Sequence, residues 1–454
     1  MGVRLGVIGA GYLGATQAAC LAELGHDVVA ADVDDAKVQA LDAGVLPFFE
    51  PRLADLLYRH TSSGRLRFTT DLTELADHAD VHFVCVGTPQ RPDGAAADTS
   101  HVFSAIADLV PRLTRATLVV GKSTVPVGTA AQLGELCDRL APPGVAVEVA
   151  WSPEFTREGH AVDDTLTPDR LVFGLTSTTA ERTLRGIYRG LLDADVPVVV
   201  TDPATSELVK LAANAFLATK LSFATALAVL CEAAGGDVLA LTKALGYDLR
   251  IGHRYLAPGL GFGGGCLPKD LRALTASAAD VGAEEAFAFL DHVDRINTRR
   301  RQRTVALALE ECRGSVLARR VAVLGAAFKP DTDDVRDSPA LDVAARLHLQ
   351  GADVAVYDPR ANVTAARVVP ALTYVDDVEA AVEGAHLVLH LTEWTEFASL
   401  DPHRLHALVA EPRILDARNT LDAERWRRAG WSFRSLGARN NGHRVGPDVL
   451  APAP

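Results

Sequence analysis

The run Leu5-Gly6-Val7-Ile8, then Gly9-Ala10-Gly11-Tyr12-Leu13-Gly14, an apolar-periodic stretch to Leu24, and Val28-Val29-Ala30-Ala31-Asp32 leave few folds open to this chain. The order is strand, glycine turn, helix, strand, acid. Gly9 allows a tight turn, Gly11 lets the backbone meet a pyrophosphate, and Gly14 lets the helix pack on the strand. The helix N-terminus adds partial positive charge where an anion would sit. A plain βαβ unit with a glycine turn would not need an acid at the end of its second strand. The unit therefore reads as a Rossmann dinucleotide site. Asp32 accepts from ribose hydroxyls and repels a 2′-phosphate, and Val33-Asp34-Asp35 adds no arginine, so NAD is expected rather than NADP. Lys37 is a nearby cation in the first turn of the next helix.

The pattern returns at Arg320-Val321-Ala322-Val323-Leu324-Gly325 and Asp353-Val354-Ala355-Val356-Tyr357-Asp358. This echo lacks the second and third glycines and carries Lys329, so phosphate there is expected to be held by side-chain charge. Between the two, Pro203 to about Ala234 has a helical period and is apolar on most faces, which implies burial against other elements or a partner subunit. A chain of 454 residues exceeds one core and suggests about three domains. The expected fold is α/β, with two Rossmann-like doubly wound domains, 1–202 and 314–454. They are joined by a central helical region, 203–313, with a long core helix. The tail after Gly437, with Asn440-Asn441-Gly442 and a Pro-rich end, reads as loosely ordered.

A net charge of −13 argues against a general nucleic-acid surface and for a small ligand held by local basic groups. The chain begins without a signal-peptide pattern and shows no uninterrupted apolar run of bilayer length, so no membrane association and a cytoplasmic location are expected. Cysteines at 20, 85, 137, 231, 266 and 312 form no CxxC pair and no metal-site spacing. A reduced compartment and no metal follow.

The chemistry concentrates in Gly261-Phe262-Gly263-Gly264-Gly265-Cys266-Leu267-Pro268-Lys269-Asp270. The glycines bring main-chain N–H groups to an anion beside the thiol, Lys269 favours the thiolate, and Asp270 is placed to hold a water or move a proton. The bland alternative is a glycine turn with a buried, inert cysteine. Two strand-to-loop junctions, Val86-Gly87-Thr88 and Ser123-Thr124, fall where ligands of open α/β sheets sit. Glu154 and Glu158 are four apart and would share a face in a helix, as would Lys210 and Asn214. A buried lysine there needs a partner or a ligand anion.

Five motifs, GFGGGCLPKD at 261–270, KLAANAFLATK at 210–220, SPEFTREG at 152–159, KSTVPVG at 122–128 and FKPDTDDVRDSP at 328–339, resemble in sequence and order the UDP-glucose/GDP-mannose dehydrogenase family. The resemblance covers about Val3 to Trp431. It implies a two-step, NAD-dependent oxidation of a nucleotide-sugar 6-hydroxymethyl group to a carboxylate, with UDP-glucose expected first. The same chemistry on TDP-glucose, GDP-mannose or a UDP-N-acetylhexosamine stays open, as does a binding protein or redox sensor without turnover. By motif, Cys266 is the nucleophile that forms a thiohemiacetal and then a thioester. Lys210 and Asn214 stabilise oxyanions or move protons, Asp270 and Thr124 position water, and Glu154 assists hydrolysis. The implied NAD residues are Gly9, Gly11, Tyr12, Leu13, Asp32, Lys37, Val86, Gly87, Thr88, Ser123, Thr124, Glu158 and Arg336. For the nucleotide sugar they are Glu154, Phe155, Glu158, Lys210, Asn214, Arg250, Tyr255, Ala257, Gly259, Phe262, Gly263, Lys329 and Arg418. Arg250 is implied to reach the neighbouring subunit's site, so a homodimer or a larger assembly is expected.

Overall fold

The computed structural model describes residues 2–92 and 94–437. The expectation about the tail falls outside these residues. The chain divides into two compact units, Met1–Ala213 with Arg272–Glu284, and Asn214–Leu271 with Glu285–Pro454.

The first unit is built on β1 (Arg4–Ile8), β2 (Asp27–Ala31), β3 (Leu66–Thr69), β4 (Val81–Val84), β5 (Thr117–Gly121), β6 (Val147–Trp151), β7 (Leu171–Gly174) and β8 (Val198–Thr201). Their order is β3-β2-β1-β4-β5-β6-β7-β8. All neighbours are parallel except β6 and β7, which meet at Trp151 and Gly174. Leu5, Val7, Val28, Ala30 and Phe83 face one core, while Ile8, Val29, Ala31 and Val84 face the other. Burial on both faces is why these strands read as continuous apolar runs. Strand order reverses between β1 and β4, and this opens a crevice at their carboxyl ends.

Some glycines in this unit are fixed by close approach. A Cβ on Gly14 would lie 1.6 Å from the Gly9 carbonyl oxygen, and one on Gly121 would lie 2.2 Å from the Trp151 ring.

The helix Pro203–Ala234 follows β8. Its Ser206 hydroxyl donates to the Trp151 carbonyl at 2.9 Å. Its Glu207 carboxylate accepts from the Gly128 and Ala130 amides at 2.7 and 2.6 Å, capping the helix Thr129–Leu140, whose own N-cap is a glycine. By length and composition this helix is long and apolar enough to cross a membrane, although Glu207, Lys210, Lys220 and Glu232 interrupt its apolar run. Core helices pass the same test, and here the buried polar groups Ser206, Glu207 and Lys210 are bonded within the first unit.

The second unit carries β9 (Arg320–Leu324), β10 (Asp353–Tyr357), β11 (Thr373–Tyr374), β12 (Leu387–His390), β13 (Arg413–Asp416) and β14 (Ser432–Ser435). They form an all-parallel sheet in the order β11-β10-β9-β12-β13-β14. The same reversal recurs, between β9 and β12, so both expected Rossmann-like sheets are present. The terminal acids differ. Asp358 is buried and its carboxylate accepts from the amides of Ala326, Ala327, Arg360 and Ala361 and from the Trp394 indole. An acid so occupied has little capacity left for a ribose.

Candidate active site

In the first unit the glycine turn forms an open cradle. Gly9 takes a φ of 90° and donates to the Ala31 carbonyl at 2.8 Å. Gly11 precedes the helix Tyr12–Glu23, and both it and Gly87 face open space where a Cβ would stand. Asp32 leaves β2 and accepts from the Ala10 and Asp34 amides at 2.8 and 3.0 Å, while Lys37 Nζ lies 3.0 Å from each carboxylate oxygen. Burial pushes this carboxyl upward, but the amide donors and Lys37 outweigh it and hold it below the usual range. Lys37 is thus matched to Asp32. Thr88 Oγ1 donates to the Thr124 carbonyl at 2.7 Å and Ser123 Oγ to the Val86 carbonyl at 2.7 Å, tying together the loops after β4 and β5. NAD fits these residues, because the glycines leave room at a helix N-terminus and Asp32 stays an ionised acceptor.

Tyr12 and Leu13 are half-buried at the start of that helix. The Tyr12 hydroxyl donates to Glu50, which also accepts from the Gly159 and Ala161 amides at 2.6 and 2.7 Å. Burial first, then Glu50 and Glu158, raise the Tyr12 hydroxyl far above its ordinary pKa. Sequence reasoning passed over Glu50, which stands in no motif; the Pro51 that follows it was the available sign of a fixed turn.

Residues 152–157 form an irregular loop, so Glu154 and Glu158 do not share a helical face. Pro153 and a local turn explain this: Glu154 Oε2 accepts from the Thr156 amide at 2.5 Å and its hydroxyl at 2.6 Å. Glu154 Oε1 accepts from Lys210 Nζ at 2.9 Å, and both side chains are largely buried. Burial raises the Glu154 carboxyl, yet Lys210 and Thr156 together bring it below its usual value. The Arg170 guanidinium, also unanticipated, lies 3.8 Å over the Phe155 ring, and Lys210 Nζ lies 5.7 Å from it.

In the second unit the cysteine loop is the distinctive feature. Five of the six cysteines are buried and Cys266 is exposed, which removes the reading of an inert core thiol. Cys266 directly precedes the helix Leu267–Asp280, and its carbonyl accepts from the Asp270 amide at 2.8 Å. The thiol thus stands at the positive end of the helix dipole. Asp270 is wholly buried, with Oδ1 accepting from Lys269 Nζ and Oδ2 from Asn214 Nδ2, each at 2.6 Å. Lys269 was expected to act on the thiol, but its ammonium is paired to the adjacent carboxylate.

The glycines of this loop accommodate neighbours as well as exposing amides. A Cβ at Gly263 would lie 2.2 Å from the Asp337 carbonyl oxygen, at Gly264 2.8 Å from the Phe328 ring, and at Gly265 2.4 Å from the Arg336 guanidinium. The Gly264 amide donates to the Arg336 carbonyl at 2.9 Å. Arg336 is itself bonded to Asp334, with Nε–Oδ2 at 2.8 Å. Arg418 donates to the carbonyls of Leu391, Gly261 and Phe328 at 2.6, 3.2 and 3.2 Å, and pairs with Glu393 at 3.1 Å. With Ala257, His253, Pro258 and Asn419, Arg418 lines a cavity of about 280 Å³. Gly259 offers its carbonyl to Arg300 Nε at 3.0 Å, and Tyr255 holds a φ of 61°. Lys329 Nζ stands 5.8 Å from the Phe328 ring centre. Arg250 is exposed and paired with Asp248.

Comparison with known proteins accounts for this combination of parts. Residues 3–192 match the NAD binding domain of the UDP-glucose/GDP-mannose dehydrogenase family, 204–299 its central domain, and 322–423 its UDP binding domain. The chain is 39% identical over 438 residues to the UDP-glucose 6-dehydrogenase of Rhizobium meliloti (strain 1021), spanning 96% of this chain and 99% of that protein. It resembles the structure of a UDP-glucose dehydrogenase from the hyperthermophilic archaeon Pyrobaculum islandicum with a TM-score of 0.88 at 37% identity, over 96% and 98% of the two chains. A UDP-D-ManNAc dehydrogenase from Pyrococcus horikoshii is similar at a TM-score of 0.83 and 28% identity, over 96% and 99%. Matched in all three parts and over nearly its full length, the chain belongs to the UDP-glucose/GDP-mannose dehydrogenase family, NAD-dependent oxidoreductases acting on nucleotide sugars.

Proposed function

We propose that this protein oxidises the 6-hydroxymethyl group of UDP-glucose to a carboxylate, giving UDP-glucuronate, through covalent intermediates on Cys266. The observation that carries the proposal is the exposed Cys266 at the start of a helix whose Asp270 is locked between Lys269 and Asn214. The UDP-glucose 6-dehydrogenases among its relatives support the choice of sugar. Gly9, Gly11, Tyr12, Leu13, Asp32, Lys37, the loop residues Val86 to Thr88, Ser123, Thr124, Glu158 and Arg336 would hold NAD, two molecules of which, bound in turn, would supply the hydride acceptors for the two oxidations.

The chain's own groups carry the proton and acyl chemistry. The 6-hydroxyl proton passes to water held beside Lys210, whose ammonium is kept charged by Glu154 and stabilises the developing alkoxide. The Cys266 thiolate then adds to the aldehyde carbon, and Lys210 and Asn214 stabilise the alkoxide of the thiohemiacetal. Loss of the second hydride leaves a thioester. Water positioned by Thr124 and Asp270, with Glu154 assisting proton removal, adds to the acyl carbon and expels the thiolate. The nucleotide sugar is assigned to Phe155, Arg250, Tyr255, Ala257, Gly259, Phe262, Gly263, Lys329 and Arg418, together with Glu154, Glu158, Lys210 and Asn214. The working division of labour remains 1–202 for the cofactor, 203–313 for the thiol and association, and 314–454 for the nucleotide.

The active species is proposed to be a homodimer in the cytoplasm. Phe216, Phe223 and Leu230 are 65%, 56% and 61% exposed at steps of seven residues along one helix, an apolar stripe that a second subunit would cover. The exposed Arg250, flanked by Leu249 and Ile251, is the residue proposed to enter the partner's site.

The test is NADH formation at 340 nm with UDP-glucose, UDP-N-acetylhexosamines, TDP-glucose and GDP-mannose, for the parent and for Cys266→Ala and Cys266→Ser. UDP-glucose should be the best substrate. Cys266→Ala should lose turnover by orders of magnitude, and Cys266→Ser should accumulate an acyl ester visible by intact-protein mass. Near-normal turnover by Cys266→Ala would overturn the mechanism.

A further inference from the structure

The loop that leads to Cys266 lies outside regular secondary structure, so its backbone groups need partners from elsewhere. Arg336 and Arg418 serve Gly264 and Gly261, and a further set comes from one helix, Phe289–Glu311. Asn297 is 3% exposed; its Oδ1 accepts from the Phe262 amide at 2.8 Å and its Nδ2 donates to the Phe262 carbonyl at 2.9 Å. One side-chain amide therefore satisfies both polar groups of a single loop residue, as a strand neighbour would. The fit is close: Gly261 holds a φ of 102°, and a Cβ there would lie 2.2 Å from Asn297 Oδ1. One turn further along, Arg300 Nε donates to the Gly259 carbonyl at 3.0 Å. Beside it, Arg301 reaches the Phe262 carbonyl at 3.2 Å and Asp337 Oδ1 at 2.8 Å.

Cys266 stands four residues after Phe262. Downstream, its own carbonyl is fixed by the Asp270 amide. Upstream, buried side chains anchor the loop backbone at Phe262, where Asn297 holds both the amide and the carbonyl and Arg301 the carbonyl alone. We infer that Asn297 is a positioning residue for Cys266, holding the loop so that the sulfur meets the aldehyde carbon. The inference rests on the proposed thiol mechanism. Asparagine suits the task because it is neutral and offers one donor and one acceptor in peptide-like geometry. Aspartate of the same size keeps the acceptor but sets a carboxylate oxygen against the Phe262 carbonyl, unless it is protonated and can donate again.

The experiment compares Asn297→Asp and Asn297→Ala with the parent, using UDP-glucose and NAD. The readouts are kcat, both KM values, single-turnover NADH traces and the pH dependence of kcat. Misplacing a nucleophile by about 1 Å costs on the order of 100-fold. Both variants should therefore lose at least about tenfold in kcat with KM for NAD unchanged, and the second NADH of a single turnover should slow more than the first. Asn297→Asp should regain activity as pH falls toward that of its buried carboxyl, because protonation restores the donor; Asn297→Ala should not. Parental kcat in both variants overturns the inference. So does a uniform slowing of both hydride steps with no pH recovery in Asn297→Asp, which marks a purely structural residue. If Asn297→Ala does not fold, the isosteric Asn297→Asp decides alone through its pH profile. Failure of the underlying mechanism is seen separately, as turnover by Cys266→Ala.

Discussion

The proposed cofactor discrimination is divided between Asp32 and Lys37: the carboxylate assigned to the ribose hydroxyls also pairs with the lysine, which unpaired would attract a 2′-phosphate. Asp32→Ala should therefore release Lys37 and raise kcat/KM for NADP relative to NAD by at least about tenfold, a change of about 1.4 kcal/mol in preference. Parallel NADH and NADPH assays check this, and an unchanged ratio would mean that other groups set the choice. His82 makes a second residue-scale prediction. It lies in β4 against Gly6, where any Cβ would come 2.2 Å from its Nδ1, and burial lowers its pKa from 6.5 to about 4. Between those values the unfolded chain binds the proton and the folded protein does not, so stability falls as pH drops from 6.5 to 4. The loss approaches about 3 kcal/mol. Urea midpoints across that range should fall less steeply in His82→Gln than in the parent.

At the scale of elements, the glycine turn and its helix form one device. Because a Cβ on Gly14 would lie 1.6 Å from the Gly9 carbonyl oxygen, Gly14→Ala must push the helix off the strand. Overpacking of this kind costs about 1–3 kcal/mol, and it should also weaken NAD binding by displacing the helix N-terminus. Thermal unfolding and titration calorimetry measure the two effects; a destabilised variant that binds NAD as well as the parent would place the phosphates elsewhere. This element was legible in sequence because its constraints are local and its period is regular. The helix Pro203–Ala234 was legible for the same reason. Residues 152–158 were not, since a spacing of four carries meaning only in a helix, and Pro153 with the Glu154–Thr156 turn prevents one. The cysteine loop was half legible: its thiol stood out, but the neighbours that require Gly263, Gly264 and Gly265 come from residues 328–337, far along the chain.

For the whole molecule, the apolar stripe on the long helix carries the main prediction. Phe223→Asp places a charge in the proposed subunit interface and should shift the protein toward monomers at micromolar concentration, with activity falling in step. Light scattering coupled to size exclusion, read beside NADH production, tests both parts. A fully active monomer would refute the assignment of Arg250 to a partner's site. The two sheets also show how far a topological repeat extends. Both follow the same strand order, yet Asp32 shares its carboxylate with the partly exposed Lys37 while Asp358 is filled by its own turn and by Trp394.

Sequence alone determined the features that depend on neighbours along the chain: the glycine turn, the acid that ends β2, the long helix, the strand runs and the cysteine flanked by glycines. Steric allowance and hydrophobic period are local quantities and can be read one window at a time. Tertiary structure decided the partners. Glu50 with Tyr12, Glu154 with Lys210, Asp270 between Lys269 and Asn214, Arg418 on three carbonyls and Asn297 on Phe262 all join residues whose meeting depends on packing. Each is a buried polar group that must find a bonding partner once water is excluded. Which partner it finds is set by the crossing of elements in space, a fact that no single stretch of sequence contains.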